Sequence, residues 1–532
     1  MALILMDGKE IQIENGATVL SAAYRNGIEI PHYCFHPAMK IVGSCRMCLV
    51  EIDGMPKLQT SCSTKIGEAL PNRKIDGKYD MVIQTQSEKV KKARKTTLEF
   101  LLLNHPLDCP VCDQAGECFL QDYTYEYGSS HSRFIEEKLV RPKEDFGSGI
   151  QHDPNRCIMC TRCIRFTREV SGTKELHKIE RGNHNKIGIF EDKPLDNPLA
   201  GNVTDVCPVG AMLPKDSLHK ERVWNYDVAE TVCGVCARGC NTNVSYRENQ
   251  IFRITPRRNM DINDWWMCDR GRYFHHEFET KNRIETPKCR QNSELISVSW
   301  EGVFNFVRED FARVRKEQKD NFSVGIVASP FLTNEELFTL SDLAHSLDAT
   351  VYRFVDTKIG EKQEFPQGFK ISDDFSPNSA GLDKIFTNAD DVANLKKHSV
   401  LFVPSLVAGF EFSDSTVEQM KKAKLVIAIQ DEKSAISDFA NAILPAQNFY
   451  EKTGSIVNED GWIQRMNPIG QSEKFRYNNW EIFLKLQNLL VGKSAQFSSV
   501  SEVFSNVIRE KFGLEATFFG LKKEAIQMNG GK

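Results

Sequence analysis

The sequence predicts a multidomain protein in which small modules of the α+β class precede a larger domain of the α/β class. Three observations support this prediction. The chain has 532 residues, which is too long for a single hydrophobic core. Its sixteen cysteines all lie before residue 290. Beyond that point, apolar runs typical of buried strands alternate with helical patterns.

The overall composition excludes several classes of partner and location. A formal net charge of −4 gives no reason to expect a nucleic-acid or membrane-surface partner. No apolar run approaches the roughly 18 residues of a spanning helix, and the N-terminus lacks the pattern of a secretion signal. We therefore expect a soluble cytoplasmic protein. In a reducing compartment, clustered cysteines indicate metal ligands rather than disulfides.

The first set of candidate ligands lies in a small module with clear strand signals. Two apolar runs flank Asp7-Gly8, which favours a hairpin, and Thr18 can cap a short helix that stops at Gly27. A loop and a further strand follow, which together indicate a β-grasp fold, and Gly43 permits close approach to inorganic sulfide. The set suits a [2Fe-2S] cluster, with a zinc site as the alternative. It consists of Cys34, Cys45, Cys48 and Cys62.

A third set along the chain has the C-x2-C-x2-C spacing of bacterial ferredoxins, whose remaining ligand precedes a proline. Three thiolates this close together suit a [4Fe-4S] cluster better than zinc. The set consists of Cys157, Cys160, Cys163 and Cys207. A two-cluster ferredoxin would also need cysteines where this chain has Thr167, Asn197, Ala200 and Val203. The pattern therefore predicts a two-cluster module that retains the ligands of one cluster.

A fourth set has the spacing C-x2-C-x3-C-x27-C. By spacing alone it fits either a [4Fe-4S] cluster or a zinc ribbon. It consists of Cys233, Cys236, Cys240 and Cys268.

The second set is completed by a histidine. Cys109, Cys112 and Cys118 lack a nearby fourth cysteine, and His105 gives the spacing H-x3-C-x2-C-x5-C. Imidazole is a competent iron ligand, and Pro106 ends the preceding helix so that His105 turns out of it. We therefore predict a [4Fe-4S] cluster with His105 as its fourth ligand. The basic face of the preceding helix is interpreted as a solvated or partner-facing surface; its residues are Lys89, Lys91, Lys92, Arg94 and Lys95.

In this order, the motifs resemble the large iron–sulfur subunit of bacterial NADH:quinone oxidoreductase, respiratory complex I. They also resemble the electron-entry half of iron-only hydrogenases and of some NAD-linked formate dehydrogenases. The missing second cluster at Asn197, Ala200 and Val203 favours complex I. The resemblance implies one [2Fe-2S] and three [4Fe-4S] clusters, the one at the fourth set lying off the main electron path.

The second half of the chain resembles a molybdopterin oxidoreductase. CGVCARGC, WMCDRGRYFHHE and residues 282–307 look like the start of that fold, and residues 440–465 resemble a later signature. Between them, Thr333 and Glu336 form a capping box, and strands are predicted at 323–328, 351–355, 399–404 and 425–430. No cysteine follows Cys289, which we interpret as a free thiol in a polar connector. We expect a truncated, degenerate domain that binds no molybdopterin.

Five modules are therefore predicted. They are a β-grasp [2Fe-2S] module at 1–80, a module with one histidine and three cysteine ligands at 81–122, a ferredoxin-like [4Fe-4S] module at 138–222, a [4Fe-4S] module of the molybdopterin-enzyme type at 226–282, and the degenerate α/β domain at 283–532.

The resemblance implies an electron-relay subunit of an NADH dehydrogenase of the translocase type. No G-x-G-x-x-G motif stands in a strand–turn–helix setting, so we assign no catalytic residue and no NADH, FMN or molybdopterin ligand. A flavin-bearing partner subunit would deliver electrons, which would leave toward quinone through a neighbouring subunit. Partners of the peripheral arm would hold the chain at the inner face of the plasma membrane. The alternative is an iron–sulfur or catalytic-type subunit of an NAD-linked formate dehydrogenase or hydrogenase.

Overall fold

In the computed structural model, the chain forms two compact units. The structure describes all residues except 69–73, 148, 191–192, 279–282, 355–359, 405–410, 471–476, 495–496, 516–517, 519–520, 522–525 and 528–532. One unit comprises residues 1–226 with 365–367, and the other comprises 227–364 with 368–532. Within the described parts of the chain, no helix is both long and apolar enough to cross a membrane.

The first unit begins with a mixed five-stranded sheet. Its strands, in spatial order, are Lys9–Ile13, Ala2–Met6, Met81–Gln84, Leu49–Ile52 and Gln59–Thr60. The predicted hairpin is confirmed, because Asp7 and Gly8 both take the positive φ of a tight two-residue turn. The predicted helix is also confirmed: it spans Val19–Arg25, and its N-cap Thr18 accepts from the Ser21 amide.

A helix at Glu88–Leu102 follows this sheet, capped by Ser87 and ending just before Pro106 as predicted. The interpretation of its basic face is wrong for one residue. Arg94 is fully buried, whereas the four lysines of that face are exposed. The reason is helical spacing, because Arg94 lies four residues from both Val90 and Leu98 and so falls on the buried stripe.

The remainder of the first unit consists of short elements around a three-stranded antiparallel sheet. The strands of that sheet are Met212–Pro214, Ile150–His152 and Glu144–Asp145. The other elements are a hairpin of His177–Ile179 and Lys186–Gly188, α-helices at Phe119–Tyr127, Arg162–Glu169 and Asn202–Val206, and 3-10 helices at Cys109–Val111, Gly182–His184 and Val223–Asn225.

The second unit opens with a three-stranded antiparallel sheet, a short α-helix and a 3-10 helix. The strands are Asp227–Val232, Asn241–Arg247 and Gln250–Pro256, and the helices are Asp269–Tyr273 and Phe274–Phe278. An eight-stranded sheet dominates the rest of this unit. Its strands, in spatial order, are Glu294–Ser297, Lys288–Gln291, Ala442–Pro445, Leu425–Gln430, Val400–Pro404, Val324–Ala328, Thr350–Arg353 and Asp390–Asp391.

Six neighbouring strands of this sheet run parallel. The predicted α/β class and the predicted strands are therefore confirmed. Residue 355, the last of the second predicted strand, lies outside the described residues. The predicted capping box of Thr333 and Glu336 is also present. The main helices are Trp300–Gln318, Asn334–Ser346, Ser379–Ile385, Asp414–Met420, Asn479–Val491 and Val500–Val503, the last running into a π-helix at Phe504–Ile508 and an α-helical turn at Arg509–Lys511.

Smaller elements complete the second unit. They are the strand pair Gln363–Glu364 and Lys370–Ile371, a three-stranded sheet of Gly454–Val457, Trp462–Met466 and Ile526–Gln527, and 3-10 helices at Lys319–Asn321, Val392–Asn394, Ala435–Asp438 and Phe449–Glu451. The expectation that Cys289 lies in a connector is wrong. It is buried in the strand Lys288–Gln291, which pairs with two other strands of the large sheet.

Candidate iron–sulfur sites

The first set forms two close pairs of thiols on the loops around the five-stranded sheet. The Cys45 thiol forms a hydrogen bond with the sulfur of Cys34 and so lowers the pKa of Cys34. The Cys62 thiol forms the same kind of hydrogen bond with Cys48 and lowers its pKa. The backbone amide of Cys34 also donates to Cys45 Sγ at 3.5 Å. A [2Fe-2S] cluster takes four thiolates, two on each iron. Two linked pairs therefore suit that donor set.

The third set surrounds a small, mostly apolar cavity. All four of its cysteines line this cavity together with Ile158, Ile187 and Val209. Met159 and Thr161 adopt left-handed backbone conformations with φ of 53° and 60°, which non-glycine residues rarely take. These two residues alternate with the ligands, so the strained turns direct three thiols to the same side of the loop.

The positions where a two-cluster ferredoxin would need further cysteines are filled with core side chains. Ala200 and Val203 are fully buried. The Asn197 amide donates to Glu175 Oε1 at 2.9 Å and its oxygen accepts from the Leu199 amide. Hydrogen bonds and apolar packing therefore occupy the space that the second cluster would need.

The second set lies between the helices Glu88–Leu102 and Phe119–Tyr127. Cys109 is exposed in its 3-10 helix, Cys112 and Cys118 are buried, and the three interact electrostatically. His105 is half-buried, and burial lowers its pKa to about 4, with a smaller contribution from Arg156. It is therefore neutral at pH 7, which is the protonation state of a ligating imidazole.

Arg156 is the structural neighbour that His105 and Cys112 share, since both interact with its charge. The guanidinium is buried and donates to Asp108 Oδ2 at 2.9 and 3.0 Å and to the Gly210 carbonyl at 3.5 Å. These contacts connect the loop of the second set, at Asp108, to the loop of the third set, at Gly210. That His105 ligates iron stays a prediction.

The fourth set lies where two strands of the second unit meet. Cys233 follows the strand Asp227–Val232 and its amide donates to the Cys240 carbonyl at 2.8 Å. Cys268 is the N-cap of the helix Asp269–Tyr273, and its sulfur accepts from the Gly271 amide at 3.4 Å. All four cysteines are buried, which raises the pKa of Cys236 to about 12. Thiols held in this way ionise on binding a metal ion.

The spacing of the sulfur atoms bears on the zinc alternative. Four sulfurs around one zinc ion, each at about 2.3 Å from it, lie roughly 3.8 Å apart. Among the described residues, which include every cysteine, no three cysteine sulfurs lie mutually within 4.8 Å. In this structure, the thiols of each set are therefore spaced more widely than the ligands of one bound zinc ion would be.

Two buried polar side chains near the first set also fit an iron–sulfur cluster. The Tyr33 hydroxyl is buried without a hydrogen-bond partner among the described residues, and its electrostatic neighbours include Cys45 and Cys118. Arg94, near Cys48, has no hydrogen-bond partner in the described part of the chain for any of its three nitrogens and packs 5.1 Å from the ring of Tyr127. A buried cation of this kind complements the negative charge of a thiolate-ligated cluster. Sequence reasoning missed both residues, although the spacing of Arg94 from Val90 and Leu98 could have revealed its burial.

Comparisons with known families match most of the chain, segment by segment. Five family models match consecutive segments: "2Fe-2S iron-sulfur cluster binding domain" at 3–71, "NADH-ubiquinone oxidoreductase-G iron-sulfur binding region" at 94–133, "NADH-quinone oxidoreductase subunit 3, ferredoxin-like domain" at 147–213, "NADH-ubiquinone oxidoreductase NDSU1/NuoG-like, 4Fe-4S domain" at 228–276, and "Molybdopterin oxidoreductase" at 283–385 and 386–489.

The relatives have consistent names. An NADH-quinone oxidoreductase subunit of Rickettsia prowazekii (strain Madrid E) is 37% identical over 352 residues, which is 66% of this chain and 50% of that protein. The chain resembles this subunit of NADH-quinone oxidoreductases. The NADH-ubiquinone oxidoreductase 75 kDa subunit of Reclinomonas americana is also 37% identical, over 66% of this chain and 48% of its own length. The chain spans about half the length of these relatives.

Among solved structures, the chain is similar to part of an NAD+-reducing [NiFe]-hydrogenase in the H2-reduced state. The match has 28% identity and a TM-score of 0.36, and covers 42% of this chain and 91% of the hydrogenase chain. The predicted resemblance to the complex I subunit is confirmed by the curated relatives, and the presence of 2Fe-2S and 4Fe-4S domains is confirmed by the family models.

Proposed function

We propose that this chain is the electron-relay iron–sulfur subunit of an NADH:quinone oxidoreductase, with one [2Fe-2S] cluster at the first set and [4Fe-4S] clusters at the other three. Each cluster supplies a centre that accepts and releases one electron. The observation that carries the proposal is one of the apolar core clusters of the first unit. It contains Cys34, Cys118 and Cys160, one ligand from each of the first three sets.

The proposed order of transfer is from the first set to the third and then to the second. A backbone contact supports the second step, because the Phe119 amide donates to the Pro208 carbonyl at 3.2 Å. These residues directly follow Cys118 and Cys207. Arg156 supplies a second connection, since it precedes Cys157 and contacts the Gly210 carbonyl and Asp108. A short, dry path between the ligands is what single-electron transfer between buried clusters needs.

The protein part of this relay holds the clusters and sets how readily they are reduced. Amide groups donate to the sulfurs of Cys45, Cys157 and Cys268, and such hydrogen bonds stabilise the thiolate and raise the reduction potential. Apolar burial excludes water from the sites. From the second set, a neighbouring peripheral-arm subunit would carry electrons toward quinone, and a flavin-bearing partner would supply them to the first set.

We propose that the second unit has a packing role and holds no molybdopterin. The helix Asn334–Ser346 follows the parallel strand Val324–Ala328, where a phosphate group would bind at the helix N-terminus. Two buried acidic side chains already occupy that position. Glu335 accepts from the Ser455 amide and hydroxyl, and Glu336 pairs with Lys452 at 3.2 Å. These carboxyl groups and the closed packing around them fill the position that a phosphate would need.

The fourth set would then be structural and off the main path. Two backbone hydrogen bonds at Ala237 connect its loop to the α/β domain. The Ala237 amide donates to the Asp374 carbonyl and the Ala237 carbonyl accepts from the Glu459 amide, each at 2.8 Å. A cluster here would lock this loop. The chain would act at the cytoplasmic face of the plasma membrane through its partner subunits.

Anaerobic purification of the full chain with iron analysis tests the cluster content. We expect about fourteen iron atoms per chain and EPR signals of four distinct clusters on reduction. A colourless protein that contains zinc would contradict the proposal. Stoichiometric molybdenum would favour the formate dehydrogenase alternative, and a co-purifying nickel-containing subunit would favour the hydrogenase alternative. Co-purification with a flavin-bearing subunit that reduces these clusters with NADH would support the complex I function.

A further inference from the structure

The helix Arg162–Glu169 carries two buried arginines toward the first set of cysteines. Arg162 and Arg165 are only 5% and 7% exposed, although each carries a full positive charge. The helix starts inside the third set, since Cys163 is its second residue. Burial of an arginine is unfavourable unless its donors are used. The contacts of these two guanidinium groups therefore indicate what they do.

Arg165 joins a ligand residue of the first set to a ligand residue of the third. Its Nη2 donates to the backbone carbonyl of Cys34 and lies 3.5 Å from the carbonyl oxygen of Cys160. Its Nη1 donates to the Lys40 carbonyl at 2.7 Å, within the loop between Cys34 and Cys45. One guanidinium group thus links backbone on both sides of the gap between the two sets.

Arg162 makes a parallel connection one helical turn earlier. Its Nη2 donates to the Phe35 carbonyl at 2.5 Å, and its Nη1 donates to the Val206 carbonyl at 3.4 Å. Phe35 follows Cys34 and Val206 precedes Cys207, so this arginine also joins the two sets at their ligands. Every hydrogen bond of the two guanidinium groups to a described residue goes to a carbonyl oxygen, and neither forms an ion pair with a described carboxylate. Their charge is therefore left to act on the clusters.

We propose that Arg162 and Arg165 are positioning residues that fix the gap between the first and third sets and make reduction of both clusters easier. The inference rests on the proposed function. In the step concerned, one electron would pass from a reduced [2Fe-2S] cluster held by the first set, which would be oxidised, to an oxidised [4Fe-4S] cluster held by the third set, which would be reduced. No bond breaks and no proton moves, because arginine stays protonated. A fixed positive charge between the sites favours the added negative charge at either one.

The test uses the full chain with variants at Arg165 and a control on the same helix. Arg165→Met removes the bridge and the charge, Arg165→Lys keeps the charge but cannot reach the same set of carbonyls, and Arg168→Met changes an exposed arginine. The readouts are iron content, EPR-monitored redox titration, and the magnetic interaction between the two clusters when both are reduced.

We expect Arg165→Met to lower the equilibrium constant for reduction of both clusters about tenfold, which is about 59 mV for a one-electron couple, and to alter their magnetic interaction. Arg165→Lys should alter the interaction while keeping most of the potential. Arg168→Met should match the wild type. Selective loss of the first cluster from both Arg165 variants, with the other three retained, would also support positioning.

Two results would overturn the inference. One is an Arg165→Met chain with full iron content and wild-type potentials and magnetic interaction. The other is uniform loss of all four clusters from both variants, which would show a general folding role. A wild-type chain without these clusters would instead refute the proposed function itself, so the two failures are distinguishable.

Discussion

A methyl group on Gly210 would lie 2.3 Å from Cys112 Sγ. No side chain fits at that distance, so the backbone at Gly210 is what allows Cys112 to occupy its position. Gly271 has the same relationship to the fourth set, because its Cβ would lie 2.9 Å from Cys233 Sγ. Neither glycine has a positive φ, so replacement by alanine tests the space alone and adds no backbone strain.

Gly210→Ala should displace Cys112 and remove the second-set cluster, with a loss of about four iron atoms per chain and of one EPR signal. Gly271→Ala should do the same to the fourth-set cluster and leave the second set intact. Each variant is the control for the other, and each should cost about 1–3 kcal/mol in stability from overpacking. The assignment of either set would be wrong if its variant retained every cluster.

His105→Cys should keep a cluster of lower reduction potential, because a thiolate adds a negative charge where the neutral imidazole adds none. His105→Ala should lose or convert that cluster while the other three remain. EPR-monitored redox titration of both variants measures the effect. An unchanged potential in His105→Cys would show that the histidine is not a ligand.

Restoring cysteines at Asn197, Ala200 and Val203 together should not create a fifth cluster. Ala200 and Val203 are fully buried, and the Asn197 amide donates to Glu175. The substitutions would therefore place a larger side chain at Ala200 and leave Glu175 without this hydrogen bond in a packed region. We expect unchanged iron content and lower stability, by about 1–3 kcal/mol. An increase of four iron atoms with a new EPR signal would contradict this.

Cys236→Ser should lower thermal stability and the yield of assembled complex without stopping electron flow. A cluster at the fourth set would fix the segment from Cys233 to Cys268, and metal binding of this kind also contributes folding free energy. Turnover from NADH to quinone per assembled complex should stay close to the wild-type value. If turnover falls to background while the other three clusters are intact, the fourth cluster lies on the path.

Glu335→Gln should flatten the pH dependence of stability in the second unit. Burial raises the pKa of Glu335 to about 7, above its unfolded value. The contribution of Glu335 to the free energy of unfolding is therefore fully present below about pH 4.5. It decreases by about 1.4 kcal/mol per pH unit as the pH rises toward 7. Hydrogen exchange of the helix Asn334–Ser346 at several pH values measures this.

The matched control for that prediction is Glu336→Gln. It leaves the buried Lys452 ammonium without its anion, so it should destabilise the same helix by about 3–5 kcal/mol. Identical pH profiles for the wild type and Glu335→Gln would show that Glu335 does not carry the pH dependence.

Local signals predicted much of the fold correctly. Asp7-Gly8 specifies a hairpin through its backbone preferences, Thr18 caps its helix, and Thr333 with Glu336 forms a capping box, because each effect acts within a few residues. The parallel strands are recognisable as continuous apolar runs because both of their faces are buried. Cys289 was misplaced because its polar neighbours conceal a strand whose burial depends on pairing with residues 442–443.

By itself, the sequence determined the family resemblance and predicted the ligand sets, because metal ligands are specified by residue type and short spacing. Only the tertiary structure decided which distant groups meet. It placed Gly210 against Cys112 and brought Arg165 to the carbonyls of Cys34 and Cys160. Those contacts join residues separated by up to about 130 positions. Packing of whole elements creates such contacts, and no local periodicity encodes them.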